Sequence, residues 1–176
     1  MDFKELAAKR YSVRKFLDKP VDKEKLDLIL AAAQNAPTAH NRQPQRILVI
    51  DQAAGLAKVD IVTRCRFGAP LVFMICYDKT EVSIRKYDQE NSGWVDASIV
   101  TTQMMFQAED IGLGTTWVMH FDPAKVREQF QLPEQLFPVA FLPTGYPAAD
   151  AAPSELHFQR HPLDKLVYYG SIAQYP

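Results

Sequence analysis

Arg10, Ser12 and Arg14 are the first residues whose types and spacing suggest chemistry. They alternate with Tyr11 and Val13 in a stretch, Arg10 to Phe16, whose pattern reads as extended backbone. Residues two apart in such a segment project to the same side. Two guanidiniums and a hydroxyl therefore share one face over roughly 13 Å. That span is too long for one phosphate. It suits an elongated anion with a phosphate at one end and an electron-poor group at the other. A solvated edge strand with unpaired arginines explains the same spacing equally well.

A second candidate is the proline-bounded loop Pro37-Thr38-Ala39-His40-Asn41-Arg42-Gln43-Pro44. Thr38, Asn41 and Gln43 offer neutral donors and acceptors, and a loop entering a strand is a common ligand platform. Taken alone it reads more simply as an ordinary helix exit. Other patterns are weaker. Gly112-Leu113-Gly114 begins like a dinucleotide fingerprint, but Trp117 holds the third glycine position and a helix precedes it where a strand belongs. No Walker sequence and no GxSxG elbow occurs. His157 and His161 have helical metal-ligand spacing, yet no HExxH glutamate lies between them and Pro162 follows, so surface histidines are expected and no metal.

The elements that must carry these residues can be read from periodicity. Asp2 to Lys9 forms a short helix with a capping box of Asp2 and Glu5. A second helix runs from about Lys23 to Asn35 behind Asp22, with Leu26, Ile29, Leu30 and Ala33 on one face. Strands follow at Arg46 to Ile50 and at Leu71 to Tyr77, the latter apolar throughout and therefore central. A further helix is read over Gln52 to Lys58. The longest helix is read from Asp96 to Ile111, with Gly112 as its C′ glycine. Thr115 to Met119 reads as a strand, Ala124 to Phe130 as a helix behind Asp122-Pro123, and Phe137 to Leu142 as the last core strand. From Pro143 onward a surface excursion leads to an apolar tail of Leu163, Leu166, Val167, Tyr168, Tyr169 and Tyr175. The expected class is α+β, a mixed, largely antiparallel sheet packed by helices, in one domain over 1–176.

With 176 residues, 47% hydrophobic and 23% charged, the chain can bury a core without staples. Its net charge of −1 provides no global field for nucleic acid, and none is expected as partner. Cys65 and Cys76 are too far apart for a CxxC pair and read as reduced thiols. The charged N-terminus lacks a signal peptide's apolar region, and the longest apolar run, Ala69 to Tyr77, is too short for a membrane span. A cytoplasmic protein without a membrane partner is expected.

Taken together and in order, these segments resemble the nitroreductase family of flavin enzymes. The resemblance rests on Arg10-x-Ser12-x-Arg14, on Ala36-Pro37-Thr38-x-x-Asn41-x-Gln43-Pro44, and on Ala69-Pro70 opening an apolar strand. It continues through Gly112-Leu113-Gly114-Thr115-Thr116-Trp117 and Gly145-Tyr146-Pro147 to Arg160 before Pro162-Leu163. It covers essentially the whole chain, as a short member.

The resemblance implies a nitroreductase-like three-layer sandwich and an FMN-dependent oxidoreductase using NAD(P)H. The acceptors it implies are nitroaromatics, quinones or similar conjugated molecules. It implies a homodimer with flavin at the subunit interface and 160–176 embracing the partner. Arg10, Tyr11 and Ser12 match positions at the flavin phosphate and ribityl chain, and Arg160 a further phosphate contact. Arg14 matches the basic residue near flavin N1 and O2, where a guanidinium favours reduction. Pro37, Thr38 and Ala39 match a loop offered by the partner, and Asn41 and Gln43 support it. No protein nucleophile or base is implied, because flavin N5 carries the chemistry. Two departures bear on the pocket: Gln45 stands where tryptophan is frequent, and Met119-His120 where a glycine is usual. Met119 and His120 are counted among the flavin-site residues, and their bulk favours one alternative, a flavin-binding or sensory protein with little turnover; a reductive dehalogenase-type flavoenzyme of the same fold is the other.

Overall fold

The centre of the molecule is the strand β2, Leu71–Asp78, every residue of which is buried. The structure, a computed structural model, describes residues 2–172; Tyr175 lies outside the described residues. Strand side chains alternate between faces, and a strand apolar at every position must be covered on both. Leu71, Phe73, Ile75 and Tyr77 belong to one core, and Val72, Met74 and Cys76 to another. The first core is closed by α2 (Lys23–Gln34) and α4 (Gly93–Asp110), the second by α3 (Ala53–Val62) and α5 (Pro123–Phe130). The result is the three-layer α+β sandwich. α1, Phe3–Lys9, packs outside α4.

The sheet order is β1-β2-β4-β3, with β1 at Gln45–Ile50, β4 at Leu136–Gly145 and β3 at Gly114–Thr115. All three strand pairings are antiparallel. The parallel component is a single bridge from Ser12 to Thr115. That bridge docks the 10–14 segment on the sheet edge: Val13 N–H donates to Thr115 O at 2.9 Å, and the Thr116 hydroxyl donates to Val13 O at 2.7 Å. A Cβ on Gly114 would lie 2.4 Å from Val13 Cγ2, so only glycine lets the segment approach this closely.

Local signals behave as their chemistry requires. Asp2 accepts from Glu5 N–H, Asp122 accepts from Ala124 N–H ahead of Pro123, and Gly112 sits at φ +78° after α4. Asp22 is the N-cap of α2, but its side chain takes the Tyr146 hydroxyl instead of a cap amide.

Several boundaries differ from the sequence reading. α4 begins at Gly93 and α3 extends to Val62. β4 runs on to Gly145, so the surface excursion starts later than Pro143. The strand read over Thr115 to Met119 is cut to Gly114–Thr115 plus one bridge, Val118 to Phe141. The register places Thr116 opposite Pro143, whose oxygen accepts from Thr116 N–H at 3.1 Å. Proline has no N–H to return, and the ladder breaks there.

Candidate functional site

Arg10 and Ser12 are carried by the segment between α1 and the sheet edge, and Arg160 by the chain after β4, 150 residues away in sequence. The fold brings them into one cleft of about 220 Å³, lined by Arg10, Tyr11, Ser12, Arg14, His157 and Arg160, with Ser154 and Leu156 completing the rim. Arg14 donates to Ser12 O at 3.3 Å, and Arg160 to Leu156 O and Gln159 O at 3.3 and 2.8 Å. Among the described residues none of these three arginines has a carboxylate in ion-pair range.

The acid that Arg10 does feel is Glu109 near the end of α4. Burial holds the Glu109 carboxyl above its ordinary range, while Lys9 and Arg10 pull it back. The Tyr11 phenol is raised by burial, with Glu109 adding to the shift, and its ring meets His157 edge-on at 6.3 Å between centroids. Three like charges with no carboxylate in ion-pair range among the described residues repel one another, and an anion with several oxygens relieves that repulsion through charge-assisted hydrogen bonds. The donor set, three guanidiniums with one hydroxyl, suits an elongated anion with a phosphate ester at one end.

The loop is built differently. Ala39–Asn41 forms one 3-10 turn behind Thr38, whose Oγ1 accepts from Gln43 N–H at 3.0 Å. His40, Asn41 and Gln43 sit at φ 52°, 52° and 51°. The left-handed region costs roughly 1–2 kcal/mol per residue, less for histidine and asparagine, so something must hold the loop there. Gln43 Nε2 donates to Asn41 O, His40 Nδ1 meets Ser83 Oγ at 2.7 Å, and Ala39 N–H donates to the Asp96 carboxylate at 2.8 Å. Pro37, Thr38, Ala39, Asn41 and Gln43 thus form a stitched surface loop at the start of α4, outside the lining of the arginine cleft.

Met119 and His120 are not in that cleft either. Both are exposed, Met119 at 56%, and His120 O accepts from the Thr63 hydroxyl at 2.7 Å beside a separate cleft with Arg64 and Phe121. Gln45, the other departure, leaves its Oε1 as the one buried side-chain polar atom without a partner among the described residues. His157, read as a surface histidine, is half-buried in the arginine cleft. Ser154 and Leu156 carry no signal in spacing, because their excursion has no periodic pattern, and the spacing of His157 to His161 points to a metal, not to this cleft. In sequence Asp96 is one polar residue in the first turn of a helix, and nothing in helical periodicity marks it as the acceptor for a loop amide.

A sandwich of this order is the fold of solved nitroreductase family proteins. One from Clostridium difficile 630 superposes with a TM-score of 0.92 at 42% identity, over 98% of this chain and all of that one. An Exiguobacterium sibiricum protein solved in complex with FMN superposes at 0.84, with 21% identity over 96% of this chain and 97% of its own. A Staphylococcus aureus (strain MRSA252) NADPH-dependent oxidoreductase is 29% identical over 196 aligned positions, 97% of this chain and 78% of its own. A Methanothermobacter thermautotrophicus protein, provisionally named NADH dehydrogenase/NAD(P)H nitroreductase, is 30% identical over 89% of this chain and 83% of its own. The sequence profile of the nitroreductase family matches residues 7–67 and 65–146, and the chain belongs to that family. It is an oxidoreductase. No helix among the described residues is long and apolar enough to cross a membrane.

Proposed function

We propose that this protein passes reducing equivalents from NAD(P)H through FMN to nitroaromatic, quinone or similar conjugated acceptors, as a homodimer. FMN is its cofactor and NAD(P)H its co-substrate. The observation that carries the reading is the convergence of Arg10, Arg14 and Arg160, none ion-paired among the described residues, with Ser12 in one cleft. Arg10, Arg160 and Ser12 would hold the phosphate and ribityl chain. Arg14, at the far end of the same backbone face, would stand beside the N1 and O2 edge. When bound, FMN supplies a ring that takes up a hydride at N5 and releases the electrons to an acceptor. The protein's part is to bind, orient and set the charge around that ring. Met119 and His120 lie outside the lining of this cleft.

The dimer is supported by surface that a single chain leaves bare. The accessible surface is 10942 Å², against about 8,700 Å² expected for a folded monomer of this mass. The excess, roughly 2,200 Å², is of the order an obligate interface covers. Residues 158–172 are exposed throughout, so the tail does not lie on its own core. Leu163 is 75% and Tyr169 94% exposed, and an apolar groove between α1 and α4 is lined by Phe3, Trp94, Ile99 and Phe106. The loop Pro37 to Gln43 would then reach the partner's flavin.

Purified protein is expected to be yellow, and anaerobic NADH or NADPH to bleach it. Nitroaromatics or quinones should restore the colour. Colourless protein that rejects added FMN would overturn the reading.

A further inference from the structure

Asp96 is 1% exposed, and among the described residues it forms no ion pair. A buried carboxylate without a cation is expensive, and an apolar residue would serve packing alone at lower cost. Its two oxygens are nevertheless both used. Oδ1 accepts from Ala39 N–H at 2.8 Å, and Oδ2 accepts from the Ser92 hydroxyl at 2.6 Å. Ser92 Oγ accepts in turn from Ser83 N–H at 3.0 Å, and Ser83 Oγ meets His40 Nδ1 at 2.7 Å. Asp96 is therefore the buried end of a relay that grips the 3-10 turn at two consecutive residues, Ala39 and His40. The turn it grips holds His40 and Asn41 at positive φ, with Gln43 just beyond it also at positive φ, a geometry that persists only when its surroundings over-determine it.

We propose that Asp96 is a positioning residue that locks the Thr38–Gln43 loop in the conformation in which it serves the flavin of the partner subunit. The proposal rests on the reading of that loop as part of an FMN site. Asp96 itself touches no flavin in this scheme; it acts through the Ala39 amide.

Two variants isolate the contact. Asp96→Ala removes the acceptor. Ala39→Pro removes only the donor, and the backbone suits it: Ala39 opens the turn, and Thr38 is extended at φ −135° and ψ 157°, the conformation a residue before proline prefers. Asp96→Asn keeps an oxygen for Ala39 N–H, and the Ser92 hydroxyl can turn to accept from the new amide.

Amide hydrogen exchange on the full chain, followed by mass spectrometry, reads the loop without any flavin. FMN titration and light scattering read the site and the assembly. Asp96→Ala and Ala39→Pro should each speed exchange over 38–43 about tenfold or more while 71–78 stays as in the wild type. Each should also weaken FMN binding about tenfold in a protein that remains dimeric, and combining them should add little to either alone. Asp96→Asn should return FMN affinity to within about threefold of wild type, a rescue that a role in packing would equally permit only if Ala39→Pro had no effect. Unchanged exchange over 38–43 in both variants overturns the anchoring. Faster exchange with unaltered FMN affinity overturns the positioning role, and the loop's place in the flavin site with it. A wild-type protein that rejects FMN overturns the functional reading first, and the positioning role falls as its consequence.

Discussion

The arginine cleft and the Pro37–Gln43 loop are both parts of one proposed flavin site, yet they are built on opposite terms. In the cleft, three guanidiniums stand without ion pairs among the described residues, and the hydrogen bonds of Arg14 and Arg160 go to backbone oxygens. In the loop, amides and side chains are paired within the chain, down to a buried carboxylate. Unspent charge gives affinity for an anion, and a satisfied network gives a fixed shape. A site that needs both can take its binding energy from one region and its geometry from the other.

The severest way to break this comparison is to end the chain at Pro162. If the two regions meet only across subunits, dimerisation and FMN should be lost together, which light scattering and flavin absorbance would register. A folded truncated monomer that holds FMN tightly would place the whole site within one chain.

Next in size, Arg10→Ala and Arg160→Ala should each weaken FMN roughly 10- to 150-fold, the equivalent of a charge-assisted hydrogen bond of about 1.5–3 kcal/mol. Riboflavin, which lacks the phosphate, should lose much less. Equal losses for both flavins would mean that these arginines act through folding.

Gly114→Ala tests whether the cleft has a rigid floor. Its Cβ would collide with Val13, so the 10–14 segment must shift, at a cost of about 1–3 kcal/mol. Thermal unfolding should fall by roughly 2–12 °C. An unchanged midpoint would show that the segment docks loosely.

The smallest expected effect sharpens the contrast within the cleft itself. Arg14→Leu should keep FMN bound while lowering its midpoint potential by roughly 30–65 mV, because reduced flavin loses a charge partner. A potential that does not move would take Arg14 away from the N1 and O2 edge.

Much of this molecule was legible from residue order. The β2 run, the caps at Asp2 and Asp122 and the C′ glycine Gly112 depend on backbone chemistry within a few residues, and there the sequence is sufficient. The same-side projection of Arg10, Ser12 and Arg14 follows from strand geometry, and the ordered motifs identify the family. What spacing left open was whether those arginines face solvent or a ligand. What packing adds is that Arg160 and His157 come to the same cleft from the far end of the chain. The truncation of β3 belongs to the same group, since Pro143 matters only once the register sets it opposite Thr116. Asp96 is the extreme case: in sequence it is one polar residue in a helix, and only the tertiary fold places a loop amide from 57 residues away against its buried oxygen. Local chemistry acts through bonded neighbours and can be read along the chain, whereas pairing between distant residues depends on how whole elements pack.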